Sequence, residues 1–342
     1  MEPRIQYAKT SDGVSIAYWT LGEGPPLVVT PSMSASHVQM EWQLPEPQTA
    51  YERLGQRAKV IRYDPRGMGM SQREAADFSL DAAMLDLEAV ADGVGLDRFA
   101  VYGSGLAGDI AFAYAGRHSE RLNAVIYWEI DPASLFDHYP ERGALLAAIE
   151  PLIERHWEAY TQILMRTARG WDWPHASSGA ALVRAAHTPT SFLAATRAIA
   201  QRSSQPFLAS VQVPVLILHQ LGNAARADAA RLLASQLSNA QVAAIPGEAW
   251  YPYPNEIGID ALLDFVSATV AGPDKAAPVP SVNLSAVRTI LLTDIEGHTA
   301  IIDRLGDEKG RDVLREHERI TRVALAAHGG TEVKAMGDGF MA

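Results

Sequence analysis

Apolar and polar positions along the chain form short runs and 3.6-residue repeats that succeed one another in a regular order. Residues 5–8 and 14–20 predict two strands around the Ser11-Asp12-Gly13 turn, and after a Gly- and Pro-rich stretch residues 27–30 predict a short buried strand. Residues 60–64 predict the next strand, which leads into Pro65-Arg66-Gly67-Met68-Gly69-Met70-Ser71. Helical spacing over 80–94 follows Ser79, a suitable N-cap. Residues 99–102 predict a strand that runs into Gly103-Ser104-Gly105-Leu106-Ala107-Gly108 and then a helix over 109–118. Strand, helix, strand, sharp turn and helix is the order of a doubly wound sheet, so the fold class is α/β. Residues 213–218 predict a late strand, and the segment 134–210 before it is too long for a plain connection, which predicts a helical cap over the strand ends.

Beyond residue 271 the pattern changes. Ala271-Gly-Pro-Asp-Lys-Ala-Ala-Pro278-Val-Pro280-Ser loses periodicity, which predicts a linker over 272–286 between a first domain at 1–271 and a second segment at 287–342. In that segment residues 290–292 predict a strand, and Ile301, Ile302, Leu305, Val313, Leu314, Ile320, Val323 and Ala324 suit two helices around a turn at Gly306. Residues 332–336 predict a further strand, and Gly337-Asp338-Gly339 a hairpin turn.

Composition narrows the classes. Of 342 residues, 48% are hydrophobic and 20% charged, as in a folded chain of two domains. A net charge of -11 argues against nucleic acid or an anionic membrane as partner, because both are held by basic patches. The sequence has no cysteine, hence neither disulfides nor a thiolate nucleophile. With no apolar leader or run of membrane-spanning length, the expected location is cytoplasmic.

The candidate chemistry divides between the two parts. Asp294 closes a strand beside Gly297 and Thr299, and Asp338 sits in the hairpin turn; two carboxylates without His or Cys suit Mg²⁺ or Mn²⁺ carrying a nucleoside triphosphate. Taken singly, each Asp is also an ordinary cap or turn residue. The stretches Thr-Asp294-Ile-Glu-Gly-His-Thr and Val-Lys334-Ala-Met-Gly-Asp338-Gly-Phe-Met-Ala resemble the opening half of a class III nucleotide cyclase domain. The resemblance implies a ferredoxin-like α+β fold, metal ions at Asp294, Ile295 and Asp338, phosphate contacts from Gly297 and Thr299, and adenine selection by Lys334. It further implies two-metal conversion of ATP to cyclic AMP and pyrophosphate by a homodimer. The chain stops at Ala342, before the family's second base contact and its Asn and Arg, so this half is expected to be inactive alone.

Residues 1–270 resemble the α/β-hydrolase fold through Asp64-Pro-Arg-Gly-Met-Gly-Met-Ser71, the strand-turn-helix at Gly103, and Val213-Pro-Val-Leu-Ile-Leu218. Laid on that family's triad, the nucleophile, acid and base positions hold Gly105, Asn223 and Trp250, so hydrolase activity is not expected. The resemblance implies instead a sensor or dimerisation domain. Trp157, Trp171, Trp173, Phe192 and Phe207 either line a pocket for a small apolar ligand or form the core of the cap. Two alternatives remain: a non-catalytic binding or scaffold protein, and an esterase with an unusual nucleophile, for which Ser104 and Asp228 are the shifted candidates.

Overall fold

The computed structural model describes residues 2–31, 36–74, 77–128, 140–247, 253–271, 292–293, 295, 298–327, 334–336 and 339–341. Backbone contacts divide the chain into two units, Met1–Val282 and Asn283–Ala342. The predicted linker at 272–286 lies outside the described residues.

The first unit is built on one sheet of eight strands: β1 (Gln6–Lys9), β2 (Ser15–Leu21), β3 (Pro26–Val29), β4 (Lys59–Tyr63), β5 (Phe99–Ser104), β6 (Leu122–Trp128), β7 (Val215–Gln220) and β8 (Ala240–Ile245). Their order is β1-β2-β4-β3-β5-β6-β7-β8. The short connection at Ser11-Asp12-Gly13 forces β1 and β2 antiparallel, and β2 pairs antiparallel with β4. From β4 to β8 every pairing is parallel, because helical crossovers carry the chain back each time. Both faces are covered, and Leu27, Val28 and Val29 of β3 are accordingly all buried.

The helices α1 (Val38–Glu41), α2 (Pro45–Gly55), α3 (Leu80–Val94) and α4 (Gly108–Arg117) follow the early strands. The α3 helix has the predicted limits: Ser79 Oγ accepts from the Ala82 amide, and Gly95 ends the helix at φ 74. Its buried residues Ala83, Met84, Leu87 and Val90 join Ile61, Val101, Ile110 and Ile217 in the core of one face. Trp19, Val60, Tyr102, Leu216 and Leu262 belong to the core of the other.

The cap comprises α5 (Pro140–Ile149), α6 (Leu152–Arg155), α7 (Trp157–Arg169), α8 (Ala176–Ala186), α9 (Pro189–Ile199) and a 3-10 turn at Gln205–Ser210. Its aromatic residues mostly pack on one another or on their own helices. Trp157 stands 5.2 Å from Phe192, which is buried with Ile153, Tyr160 and Val183, while Trp171 is 60% exposed. After the cap come α10 (Ala224–Ala234), following β7, and α11 (Glu256–Ala271), following β8.

The second unit has a three-stranded antiparallel sheet in the order β10-β11-β9, from β9 (Leu292–Thr293), β10 (Lys334–Met336) and β11 (Gly339–Met341). Its helices are α12 (His298–Leu305) and α13 (Asp307–Ala327), separated at Gly306, where φ is 77. Among the described residues no helix of the chain is long and apolar enough to cross a membrane.

Candidate active site

The site of interest in the first unit lies where the parallel strands end. The central strand β5 turns sharply at its C-terminal end: Ser104 is still extended, Gly105 takes φ 54, and the chain enters a 3-10 turn over Gly105–Ala107 and then α4. A left-handed residue at the tip favours glycine. The turn is packed to contact. A Cβ on Gly103 would lie 3.0 Å from Gly108 Cα, and one on Gly108 would lie 2.3 Å from the Tyr127 ring. Tyr127, from the neighbouring β6, donates its hydroxyl proton to the Gly105 carbonyl at 2.8 Å, which fixes the tip. Gly108→Ala is therefore expected to push the Tyr127 ring away and to destabilise the unit by about 1–3 kcal/mol, the range for overpacked sites. A urea midpoint unchanged from wild type would contradict this packing.

The loops after β3 and β4 are tied together beside this turn. Asp64, wholly buried at the end of β4, accepts from Ser36 Oγ at 2.7 Å, from the Val38 amide at 3.0 Å and from the Met70 amide at 2.8 Å. Burial raises the Asp64 pKa, while Arg62 and the amide and hydroxyl donors oppose the rise. Gly69, at φ 52, brings its backbone so close that a Cβ would lie 2.1 Å from Asp64 Oδ2.

Behind Asp64 is a buried ionic cluster. Arg62 donates to Glu41 through Nη2 at 2.6 Å and Nε at 3.1 Å, and to Ser36 Oγ at 2.9 Å. Tyr51 donates to the same Glu41 carboxylate at 2.6 Å, and Tyr253 donates to Tyr51. Tyr253 also stacks on Tyr102 of β5, with ring centroids 6.1 Å apart. The segment after β8 is thereby bound to both β4 and the strand that carries the turn.

The predicted triad positions have unequal fates. Gly105 is the tip of the turn at the end of β5. Asn223 follows β7, two strands away, and its side chain is the N-cap of α10, accepting from the Arg226 amide at 3.1 Å. Trp250 lies outside the described residues. Of the shifted candidates, Ser104 is 1% exposed, whereas Asp228 pairs with Arg231 on the outer surface of α10, 2.5 Å apart. The imidazole of His219, on β7, does not serve Ser104. Strand alternation sets Ser104 with Ala100 and Tyr102 on one face, and His219 with Val215 and Ile217 on the other.

A small cavity sits between the strand ends and the cap. Its walls are Pro31, Pro65, Met68, Phe78, Ile110 and Ile199, together with Arg66, Asp86 and Arg202. Arg66 donates through Nε to Asp86 at 2.8 Å and through Nη1 to Asp12 at 2.7 Å. The Arg66 hydrogen bond holds Asp12 down at about 2, while burial pushes Asp86 up to about 6 against the opposing Arg66 contacts. Sequence reasoning missed Asp86, Phe78 and Arg202. A signal existed for Asp86, a carboxylate four residues from Ala82 and from Val90 on the buried stripe of α3.

The cyclase-type positions belong to the second unit. Ile295 lies between β9 and α12, Thr299 is in the first turn of α12, and Lys334 opens β10 opposite Met341. Asp294, Gly297 and Asp338 lie outside the described residues.

A family profile described as alpha/beta hydrolase fold matches residues 25–250. An alpha/beta hydrolase from Sphaerobacter thermophilus is similar at 19% identity and TM-score 0.57, over 76% of this chain and 99% of that one. A thermophilic esterase from Thermogutta terrifontis is similar at 20% identity and TM-score 0.56, over 71% and 90%. The enol-lactonase from Burkholderia xenovorans is similar at 18% identity and TM-score 0.52, over 78% and 100%. No curated protein matches the chain at a significant level.

These matches correct the main functional expectation. The adenylate cyclase reading, with its ferredoxin-like domain and its conversion of ATP, rested on short motifs near the chain end, and neither the matched family nor these structures support it. The expectation of Mg²⁺ or Mn²⁺ falls with it, because hydrolases of this fold work through side chains, and among the described residues no group of three His, Asp or Glu is placed to hold a metal ion. The expectation of no hydrolase activity is likewise corrected, since the family whose profile matches residues 25–250 is that of the alpha/beta hydrolase fold. With more than half its length matched, and with the strand order, turn and cap described above, the chain belongs to the alpha/beta hydrolase fold family.

Proposed function

We propose that the first unit hydrolyses small carboxylic esters or lactones, with the reacting carbonyl held at the turn between β5 and α4. The observation that carries this reading is the turn itself. An extended strand, a left-handed tip at Gly105 and an immediate helical start put the Leu106 and Ala107 amides in a first turn, where N–H groups have no acceptor within the helix. Such amides suit the oxyanion of a tetrahedral intermediate. Ser104, beside the tip, is the hydroxyl assigned to attack: its Oγ forms the acyl ester as the substrate's C–O bond breaks, its proton passes to the expelled oxygen, which leaves as an alcohol or stays tethered in a lactone, and water then cleaves the acyl ester to the acid and free Ser104.

Turnover is expected to be slow. Sites of this kind deprived of triad members keep a residual rate of about 10³–10⁴ over water from binding and the oxyanion donors. Short-chain aryl esters and small lactones, assayed with wild type and Ser104→Ala, test the reading. Turnover that Ser104→Ala abolishes supports it, and turnover that survives keeps the hydrolase but assigns the attack to water. A wild type inert on the whole panel overturns it.

A further inference from the structure

We propose that the cavity beneath the cap is a recognition site for a compact carboxylate, held by Arg202, so that the substrate of the first unit carries a free carboxylate close to its reacting carbonyl. The substrate clause rests on the hydrolase reading above; the anion site does not.

Arg202 follows α9 and leans from the cap over the strand ends. Its Nε and Nη2 donate to the Phe78 carbonyl at 3.1 and 2.6 Å, and Nη2 lies 3.4 Å from the Ser79 carbonyl. Both acceptors are neutral, and Nη1 donates to none of the described residues. Arg66, the other guanidinium of the cavity, differs in this respect, since Asp86 and Asp12 neutralise it. Among the described residues, the cavity wall therefore carries one positive charge that no carboxylate contacts directly. Burial disfavours that charge, offset only in part by Tyr63, Asp86, Asp109 and Asp77. A desolvated guanidinium with a free edge is suited to a planar carboxylate, which it binds through charge-assisted hydrogen bonds.

Two further observations agree. The Tyr63 hydroxyl is buried without a hydrogen-bond partner among the described residues, and among the charges acting on it are Asp86 and Arg202 of this cavity. The free space of about 20 Å³ holds one or two water-sized groups, the size of a carboxylate head, and apart from Arg202 and the paired Arg66 and Asp86 the walls are apolar. Pro31, after β3, and Ile110, in the first turn of α4, both belong to the walls, so a head group there stands beside the turn that the hydrolase reading uses.

The test has a binding arm and a kinetic arm. In the first, thermal unfolding is followed in sodium formate, sodium acetate and sodium chloride at equal ionic strength, with acetamide as the uncharged control. Formate and acetate are expected to raise the wild-type midpoint on the order of 2 °C above chloride. Arg202→Gln should lose that difference. Because Arg202 also anchors the Phe78 segment, Ile199→Phe is the second variant: it fills the cavity, leaves the guanidinium in place and should lose the difference as well. Chloride acting as strongly as formate would overturn the carboxylate assignment, as would an equal formate effect in the two variants. In the kinetic arm, monomethyl succinate should be preferred over dimethyl succinate, and Arg202→Gln should raise KM for the monoester about tenfold more than for the diester. Equal KM changes for the two esters would overturn the role in specificity. Absence of all turnover would count against the hydrolase reading and leave the binding arm to decide the site.

Discussion

Arg62→Met is expected to destabilise the first unit by about 3–5 kcal/mol, the loss found when one partner of a buried ion pair is removed. Arg62 is 1% exposed, and the variant leaves Glu41, itself 7% exposed, as a buried charge that among the described residues keeps only the Tyr51 hydroxyl on it. The loss comes from that uncompensated carboxylate more than from the pair's own attraction. The double variant Arg62→Met with Glu41→Met is therefore expected to recover much of the stability, because replacing a whole buried pair by apolar groups is often close to neutral. Chemical unfolding of the two single variants and the double variant checks this. A double variant as unstable as the sum of the singles would show that the two charges do not act on each other. A secondary effect follows from the chain of contacts: Tyr51 and Tyr253 join this cluster to Tyr102 of β5, so Arg62→Met should also lower any turnover at the Gly105 turn.

Between pH 6.5 and 4 the unit is expected to lose about 3 kcal/mol through His187 alone. His187, 3% exposed just after α8, has its pKa lowered from 6.5 to about 4, first by burial and then by the Arg73 charge. Its other neighbours add no negative charge: the Phe192 ring lies 5.5 Å away, and Ser191 Oγ 3.4 Å from Nδ1. In this window the unfolded chain binds a proton at His187 that the folded chain refuses. Stability is therefore fully present above the unfolded value and is lost as pH falls toward the folded one. His187→Phe removes the titrating group, so the wild-type minus variant difference should change steeply over this window and flatten above pH 7. Parallel stability curves for the two proteins across the window would refute the assignment.

The alternation of short apolar runs with helical repeats was enough to place the β1–β2 hairpin, the strands β3, β4, β5 and β7, and the helix over Leu80–Val94, whose Ser79 cap and Gly95 stop are both local signals, but it did not place β6 or β8. Other elements carried weaker signals. In β8 the sequence Ala-Gln-Val-Ala-Ala-Ile has neither alternation nor bulk, and its middle residues are half exposed. The strand exists because β7 offers an edge to pair with, which is a tertiary fact. The sharp turn at Gly103-Ser104-Gly105 was legible because a glycine run between a strand and a helix has few conformations open to it. Its alignment also showed that glycine stands at the outermost position.

Sequence motifs misled where they were short. Seven and ten residues near the chain end suggested a nucleotide cyclase, whereas the match over residues 25–250 and the eight-stranded sheet point to a hydrolase fold. A short motif constrains a loop; a long succession of strands and crossovers constrains a topology, and it is topology that a fold family shares.

The sequence by itself determined the α/β class, the strand and helix order around the turn and the presence of a cap, because periodicity and turn chemistry act between residues close in the chain. Only the tertiary structure decided what faces the strand ends. The aromatic residues of the cap offered themselves as a pocket lining, yet Trp157 and Phe192 pack into the cap's own core, and the cavity wall includes Phe78, Asp86 and Arg202 instead. Phe78 and Arg202 are 124 residues apart and meet through a hydrogen bond from a guanidinium to a backbone carbonyl. No local pattern records such a meeting, because burial and charge pairing across the sheet depend on which surfaces the completed topology presses together.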